Sequence, residues 1–369
     1  MLRPPLEKSG FGRSFFHLRF RPAMSLLPAP LASAAALEHA FAEGLAAMLE
    51  KHRGLGVYIL ALANAAFDAG LWRRLAPALA ARHAELGEAM ADTLRRGRRL
   101  AEPEDDVMVF LKLLAIGFEH VQTTQIRCAG PWELAFNPIR ALRPPRMSGA
   151  RIDRLLRPFD AAGFHFNKPF LTREVFWEGE LLGKPARLLY NKFPFARLHG
   201  LLVPQPEREL PQYLTPELHG WAWETCERAA AAIPGFCLGY NSYGALASVN
   251  HLHFQSFTRA TPLPVQAAEF AHNGGTRAYP LPCERHTDME AAWFRIDELH
   301  SQGIPYNLVY ANGGLHLLPR AAQGSHPLAA WNAGFGWSDL AGAITLFSRE
   351  DYDGLGEAAI AAELAEHAP

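Results

Sequence analysis

Over residues 31–128, apolar side chains recur every three or four positions in a background rich in alanine and leucine, with few glycines or prolines inside the runs. That period gathers apolar groups on one face of an α-helix. Helices are expected near 31–52, 57–71, 73–98 and 105–121. Gly54 and Gly56 separate the first two, and the charged stretch from Arg95 to Asp106 separates the last two. Arg95, Arg96, Arg98 and Arg99, followed by Glu102, Glu104, Asp105 and Asp106, read as a solvated helix end rather than a nucleic-acid patch. The apolar run Val57–Leu71 contains Asn64 and Asp68 and is too short for a membrane span, so it reads as a buried helix.

The pattern changes at Cys128. Prolines 131, 138, 144, 145 and 158 appear among short β-like runs. Residues 185–192 and 198–204 read as two strands joined by a turn at Pro194. Thr215-Pro216-Glu217 supplies an N-cap with proline at the first helical position, opening a helix over 214–232. Residues 235–241 and 250–257 read as two more strands, so 185–257 is an α+β unit of hairpin, helix and hairpin. A fainter echo follows. A helix over 288–302 leads into Ile304–Tyr310, then Asn312-Gly313-Gly314, a strong hairpin signal, and Leu315–Pro319. Tyr306-Asn307 and His316 to Pro319 repeat the order seen in Tyr190-Asn191 and His199 to Pro204, which reads as a degenerate internal duplication. A strand over 341–348 and a helix over 356–366 complete the expectation.

Composition narrows the partners. The 369-residue chain has 36 Lys plus Arg against 37 Asp plus Glu, a net charge of −1, which argues against nucleic acid or an anionic membrane as a partner. An anionic ligand would therefore be met by local groups. Cys128, Cys226, Cys237 and Cys283 form no CxxC pair and read as reduced thiols in a cytoplasmic protein. The first 23 residues mix Arg3, Lys8, Arg13, Arg19 and Arg21 with phenylalanines and lack a secretory h-region. A disordered tail over 1–30, with either Met1 or Met24 as the true start, is the expectation, and an Arg-rich transit peptide is the alternative. The expected layout is then helices over 31–128, a motif-bearing half over 129–270 and a degenerate half over 271–369.

The chemistry concentrates in Asn250-His251-Leu252-His253-Phe254-Gln255. On a strand, successive side chains point to opposite faces. His251, His253 and Gln255 would share one face, with Leu252 and Phe254 buried on the other. Three readings stay open: two imidazoles binding a metal, one imidazole acting as a nucleophile, or a hydrogen-bonded polar strand face. Just upstream, Gly239-Tyr240-Asn241-Ser242-Tyr243-Gly244 through Ser248 supplies small residues whose amides and hydroxyls could cradle a phosphate. A phosphate there favours the nucleophile.

His251-x-His253-x-Gln255 resembles the transferase branch of the histidine-triad superfamily. The longer string from Gly239 to Gln255 is similar to the GDP-hexose phosphorylases. Ile152–Asp160, Phe164–Lys168, Asn191 to Pro204, Ile304–Pro319 and Ser348–Tyr352 follow the same family in order. The resemblance implies an α+β fold: a duplicated antiparallel sheet like that of galactose-1-phosphate uridylyltransferase, here behind a helical region the family does not share closely. It implies cleavage of a GDP-hexose by inorganic phosphate, through a guanylyl group on His253, with no cofactor and no metal. His251 and Gln255 would assist. Ser248, Asn241, Gly244, Asn250, His199, Asn191 and Lys168 match positions around the substrate. Arg140, Arg143 and Arg146 could clamp a phosphate. His316 lies in the copy without HxHxQ, where no second active centre is expected. The alternatives are a dinucleoside-polyphosphate phosphorylase with the same intermediate, and a nucleotide-binding protein without turnover. The helices over 31–128 could cover the site or form a homodimer face.

Overall fold

A computed structural model describes residues 27–142, 152 and 154–369. Met24, Arg143, Arg146, Asp153 and most of the expected tail lie outside the described residues. Ala29–Leu31 forms a 3-10 turn with Pro30 and Leu31 buried, so the last residue of that tail packs onto the protein.

Four helices follow: α1 (Ala34–Lys51), α2 (Leu55–Phe67), α3 (Ala69–Arg95) and α4 (Glu104–Ile116). The boundary between α2 and α3 differs from expectation. Asp68 is not inside a helix; its side chain accepts from the Gly70 and Leu71 amides and caps α3. All but the last residue of α2 are buried, in keeping with its nearly unbroken apolar sequence.

Next come β1 (Gln125–Ala129), β2 (Trp132–Phe136), the short α5 (Pro138–Ala141), β3 (Val175–Leu181), β4 (Lys184–Tyr190) and β5 (Arg197–Pro204). The chain continues with α6 (Pro216–Ala232), β6 (Phe236–Asn241), β7 (Phe254–Thr258), β8 (Glu284–His286), α7 (Met289–Gln302), β9 (Tyr306–Ala311) and β10 (Gly314–Pro319). It ends with α8 (Trp337–Leu340), β11 (Ala343–Leu346), α9 (Arg349–Gly354) and α10 (Glu357–Ala365).

Eight strands form one antiparallel sheet in the order β3-β4-β5-β7-β6-β9-β10-β8, and β1, β2 and β11 form a second, three-stranded sheet. The fold is α+β. The large sheet is built twice: β5-α6-β6-β7 is repeated as β8-α7-β9-β10, with β6 and β9 meeting antiparallel at the centre. The duplication is therefore present, but β9–β10 corresponds to β6–β7 and not to the β4–β5 hairpin, because a helix precedes each of those two pairs. Gln255 lies opposite Gly239 and His316 opposite Val309, so His316 holds the place of Gln255 in the second copy.

Alternation along the strands separates two cores. Leu238, Tyr240, Leu252, Phe254, Tyr306, Leu308 and Tyr310 bury with α6 and α7 in a core that continues into α1–α4. Cys237, Phe257, Val309 and Leu318 bury on the other face with Trp132, Trp337 and Ile344. Gln255 shares this second face, beside Phe257 two residues on.

The N-terminal helices grip one edge of the large sheet. Tyr190 Oη donates to the Phe41 carbonyl at 2.7 Å, and Arg197 binds Asp68 at 2.8 Å and Glu38 at 2.7 Å. Asn64, a polar residue in the apolar run of α2, donates to the Asn191 carbonyl at 2.9 Å. Lys192 pairs with Asp106 at 2.5 Å. The loop between β4 and β5 is thus held from the helical side.

Candidate active site

β7 begins only at Phe254. Residues 250–253, expected as strand, form a loop before it. The reason is long-range: the segment after β5 captures that backbone. The Leu252 amide donates to the Leu210 carbonyl at 2.8 Å. Gln212 Oε1 accepts from the His253 amide at 2.9 Å, and Gln212 Nε2 donates to the carbonyls of Asn241 (2.9 Å) and His253 (3.1 Å). The expected division of faces survives, since Leu252 and Phe254 are wholly buried in the main core.

His253 Nδ1 lies 2.8 Å from the His251 carbonyl. Only a protonated Nδ1 can satisfy that acceptor, so the neutral ring carries its lone pair on Nε2, which makes no hydrogen bond with a described residue. Burial lowers this imidazole to about 4, so it is neutral at physiological pH. His251 accepts the Phe166 amide on Nδ1 at 3.1 Å, and its buried Nε2 makes no well-formed hydrogen bond to any of the described residues. Burial, with His253 and His165 nearby, lowers it to about 4 as well. Phe166 packs against both rings, 5.6 Å from His251 and 5.0 Å from His253, and Phe159 meets His251 edge-on at 5.2 Å. The two upstream blocks singled out in the sequence therefore roof the histidine pair.

Gln255 is held differently. Its Oε1 lies 3.0 Å from His199 Nε2 and accepts the Trp337 indole N–H at 3.0 Å. The Phe195 amide donates to His199 Nδ1 at 3.3 Å, which favours the ring proton on Nε2, the nitrogen that Asn191 Nδ2 also approaches at 3.2 Å. Burial, with Arg140 nearby, pushes His199 down to about 3, so it is a neutral single donor here. Its Oε1 occupied, Gln255 has its amide N–H groups left to offer.

The remaining sequence candidates divide. Asn191 Oδ1 accepts the Phe193 amide and shapes the turn toward His199. Asn250 accepts the Gln212 amide at 3.1 Å and donates to the Arg157 and Pro158 carbonyls, tying the histidine loop to its roof. Asn241 Oδ1 accepts from Asn307 Nδ2 at 2.6 Å and from the Trp337 amide at 2.9 Å, so its oxygen is already committed. Gly244 takes a φ of +91°, turning the loop under Pro305. Ser248 is exposed on that loop. Lys168 Nζ donates to the Ala161 carbonyl at 3.1 Å within the roof segment. Arg140 does not stand in open solvent: it donates to the Phe193 carbonyl at 2.5 Å and lies over the Phe195 ring at 4.8 Å.

Gln212 and Trp337 were not singled out in the sequence. Nothing local marks Gln212. The aromatic, glycine-rich run Gly334-Phe335-Gly336-Trp337 is the one signal that could have pointed to the second. Among the described residues, no group of three or more His, Cys, Asp or Glu side chains is arranged to hold a metal, and no helix is long and apolar enough to cross a membrane.

Residues 129–257 match the family model described as GDPGP1-like, N-terminal domain. The chain is 39% identical over 134 residues to GDP-D-glucose phosphorylase 1 of Homo sapiens, covering 34% of this chain and 33% of that protein. It is 27% identical over 255 residues to GDP-L-galactose phosphorylase 1 of Arabidopsis thaliana, covering 56% of this chain and 55% of that one. The chain thus aligns with between a third and just over half of the length of these relatives. A crystal structure of yeast Ap4A phosphorylase Apa2 superimposes with a TM-score of 0.48 at 16% identity, over 73% of this chain and 95% of that one.

Proposed function

We infer, from the free Nε2 lone pair of His253 inside a segment that matches the GDPGP1-like domain, that this chain is a nucleotidyltransferase cleaving a GDP-hexose with inorganic phosphate. The observation that carries the reading is the 2.8 Å contact from His253 Nδ1 to the His251 carbonyl, which leaves the neutral ring nucleophilic at Nε2. The names of the similar proteins, GDP-D-glucose and GDP-L-galactose phosphorylases, support the substrate class.

In the first step His253 Nε2 attacks the α-phosphorus of the GDP-hexose. The N–P bond forms, the bond from that phosphorus to the bridging oxygen breaks, and hexose 1-phosphate leaves with the electron pair. The ring becomes cationic as it is guanylylated. Its Nδ1–H bond to the His251 carbonyl then becomes charge-assisted and strengthens, stabilising the intermediate where charge develops. In the second step a phosphate oxygen attacks the same phosphorus, His253 leaves neutral, and GDP is released. A phosphate leaving group needs little protonation, in keeping with a site where burial keeps His199, His251 and His253 neutral. Gln255, donating through its amide, suits a non-bridging oxygen of the transferred group.

The test is GDP release from GDP-glucose, GDP-mannose and GDP-L-galactose, with and without phosphate, beside diadenosine tetraphosphate. Phosphate-dependent GDP release from a GDP-hexose, abolished in His253→Asn, is expected. Turnover with the dinucleotide alone would replace this reading with the adenylyl one, and an undiminished His253→Asn variant would remove the nucleophile.

A further inference from the structure

The amide of Gln255 has two chemically opposite ends, and which end faces the substrate decides whether it attracts or repels phosphate oxygens. Its Oε1 sits between two N–H donors, Trp337 Nε1 and His199 Nε2, each at 3.0 Å. Turning the amide over would forfeit both bonds and set its own N–H groups against those two donors.

Trp337 is itself fixed from several sides. Its amide donates to Asn241 Oδ1 at 2.9 Å, and its ring stacks on Phe257 at 4.5 Å and 21°. The indole lies against Gly239, where a Cβ would fall inside its van der Waals surface. Asp339 anchors the start of α8 by accepting the Gly336 amide at 3.1 Å and the Thr345 amide at 3.1 Å. Trp337 lies outside residues 129–257, in the half that lacks an HxHxQ motif.

We propose that Trp337 is a positioning residue that locks Gln255 with its N–H groups toward the transferred phosphoryl group. This is a task the degenerate half performs for the motif-bearing half, and the proposal rests on the nucleotidyl-transfer reading above. Trp337 need not touch substrate. It acts by holding one of the two amide orientations, which a protein with only His199 as donor would hold less firmly.

Trp337→Phe keeps an aromatic ring on Phe257 and over Gly239 but removes the N–H. Its kcat for phosphate-dependent GDP release is expected to fall about 10- to 100-fold, with KM for the GDP-hexose changed less than about 3-fold. In a Gln255→Ala background the same change is expected to cost less than about 2-fold, because the group it orients is gone. Equal losses in both backgrounds, or no loss in either, would overturn the proposal. Should Trp337→Phe fail to fold, 3-benzothienylalanine at position 337 replaces only the N–H by sulfur, and the same split is expected. One readout is independent of turnover. The Trp337 indole proton is expected to resist hydrogen exchange in the wild type and to lose protection in Gln255→Ala. A wild type that releases no GDP from any GDP-hexose would remove the functional reading, while unprotected indole exchange would remove the lock.

Discussion

Gln212 Oε1 accepts the His253 amide at 2.9 Å while Gln212 Nε2 donates to the His253 carbonyl at 3.1 Å, so a single buried side chain clamps the nucleophile's backbone on both sides. It also reaches the Asn241 carbonyl at 2.9 Å, joining the two loops of the site. Gln212→Ala leaves these buried groups unsatisfied. It is expected to destabilise the protein by about 1–3 kcal/mol and to cut turnover more than tenfold. Denaturant melts beside GDP-release assays check both, and Gln212→Glu, which keeps the acceptor for His253 N–H, is expected to be more active than Gln212→Ala.

Asn64 ties the helical region to the site. Its Nδ2 donates to the Leu60 carbonyl within α2 and, at 2.9 Å, to Asn191, whose loop leads to His199. Asn64→Leu fills the space but strands the Asn191 carbonyl without its donor. The expected cost is about 1–3 kcal/mol in unfolding free energy. Catalytic efficiency is expected to fall several-fold because His199 loses support. Unchanged kcat/KM in a destabilised variant would confine the helices to a purely structural part.

Local patterns made most of this fold legible. The period of three to four residues located α1 to α4, the Thr215-Pro216 cap located α6, and Asn312-Gly313 located the β9–β10 turn, where Gly313 takes a φ of +85°. What escaped was set by partners far along the chain. β2 pairs in parallel with β11, Leu134 beside Ile344, and neither strand announces the other. The start of β7 moved because Leu210 and Gln212 capture the backbone ahead of it. In the site, the polar–apolar alternation identified His251, His253 and Gln255. It carried no information on Trp337, a single side chain that α8 brings onto that face from 82 residues further along the chain.

The histidines make the protein acid-sensitive in a calculable direction. Burial lowers His251 and His253 to about 4 and His199 to about 3, below the ordinary value near 6.5 that each regains on unfolding. Between about pH 4 and 6.5 the unfolded chain binds protons the native one does not, so stability falls as pH falls through that window. His219, His300, His316 and His367, lowered to between about 3 and 4 by burial, act in the same sense. Glu174 and Asp339, raised by burial to about 7 and about 6, oppose it but are outnumbered. Urea melts are expected to show stability nearly flat above pH 7 and declining from pH 6.5 toward 4.5. The acid limb of kcat/KM is expected near pH 4, where His253 takes up its proton, and a limb near 6.5 would mean that His253 is not desolvated as described.

Gly239 gives the sharpest separation between packing and chemistry. A methyl group there would overlap the Trp337 indole at its Nε1 edge, the edge that donates to Gln255. The ring can yield only by lifting off β6, which strains its stack on Phe257 and breaks the bond to Gln255 Oε1. Gly239→Ala is therefore expected to lose about 1–3 kcal/mol of stability through overpacking. Its turnover is expected to drop to the level of Trp337→Phe. In the double variant Gly239→Ala/Trp337→Phe the smaller ring makes room for the methyl group, so part of the lost stability is expected to return. Turnover is not expected to return with it, because the N–H that held Gln255 is still missing. Parallel recovery of stability and activity would show that Trp337 acts through packing alone.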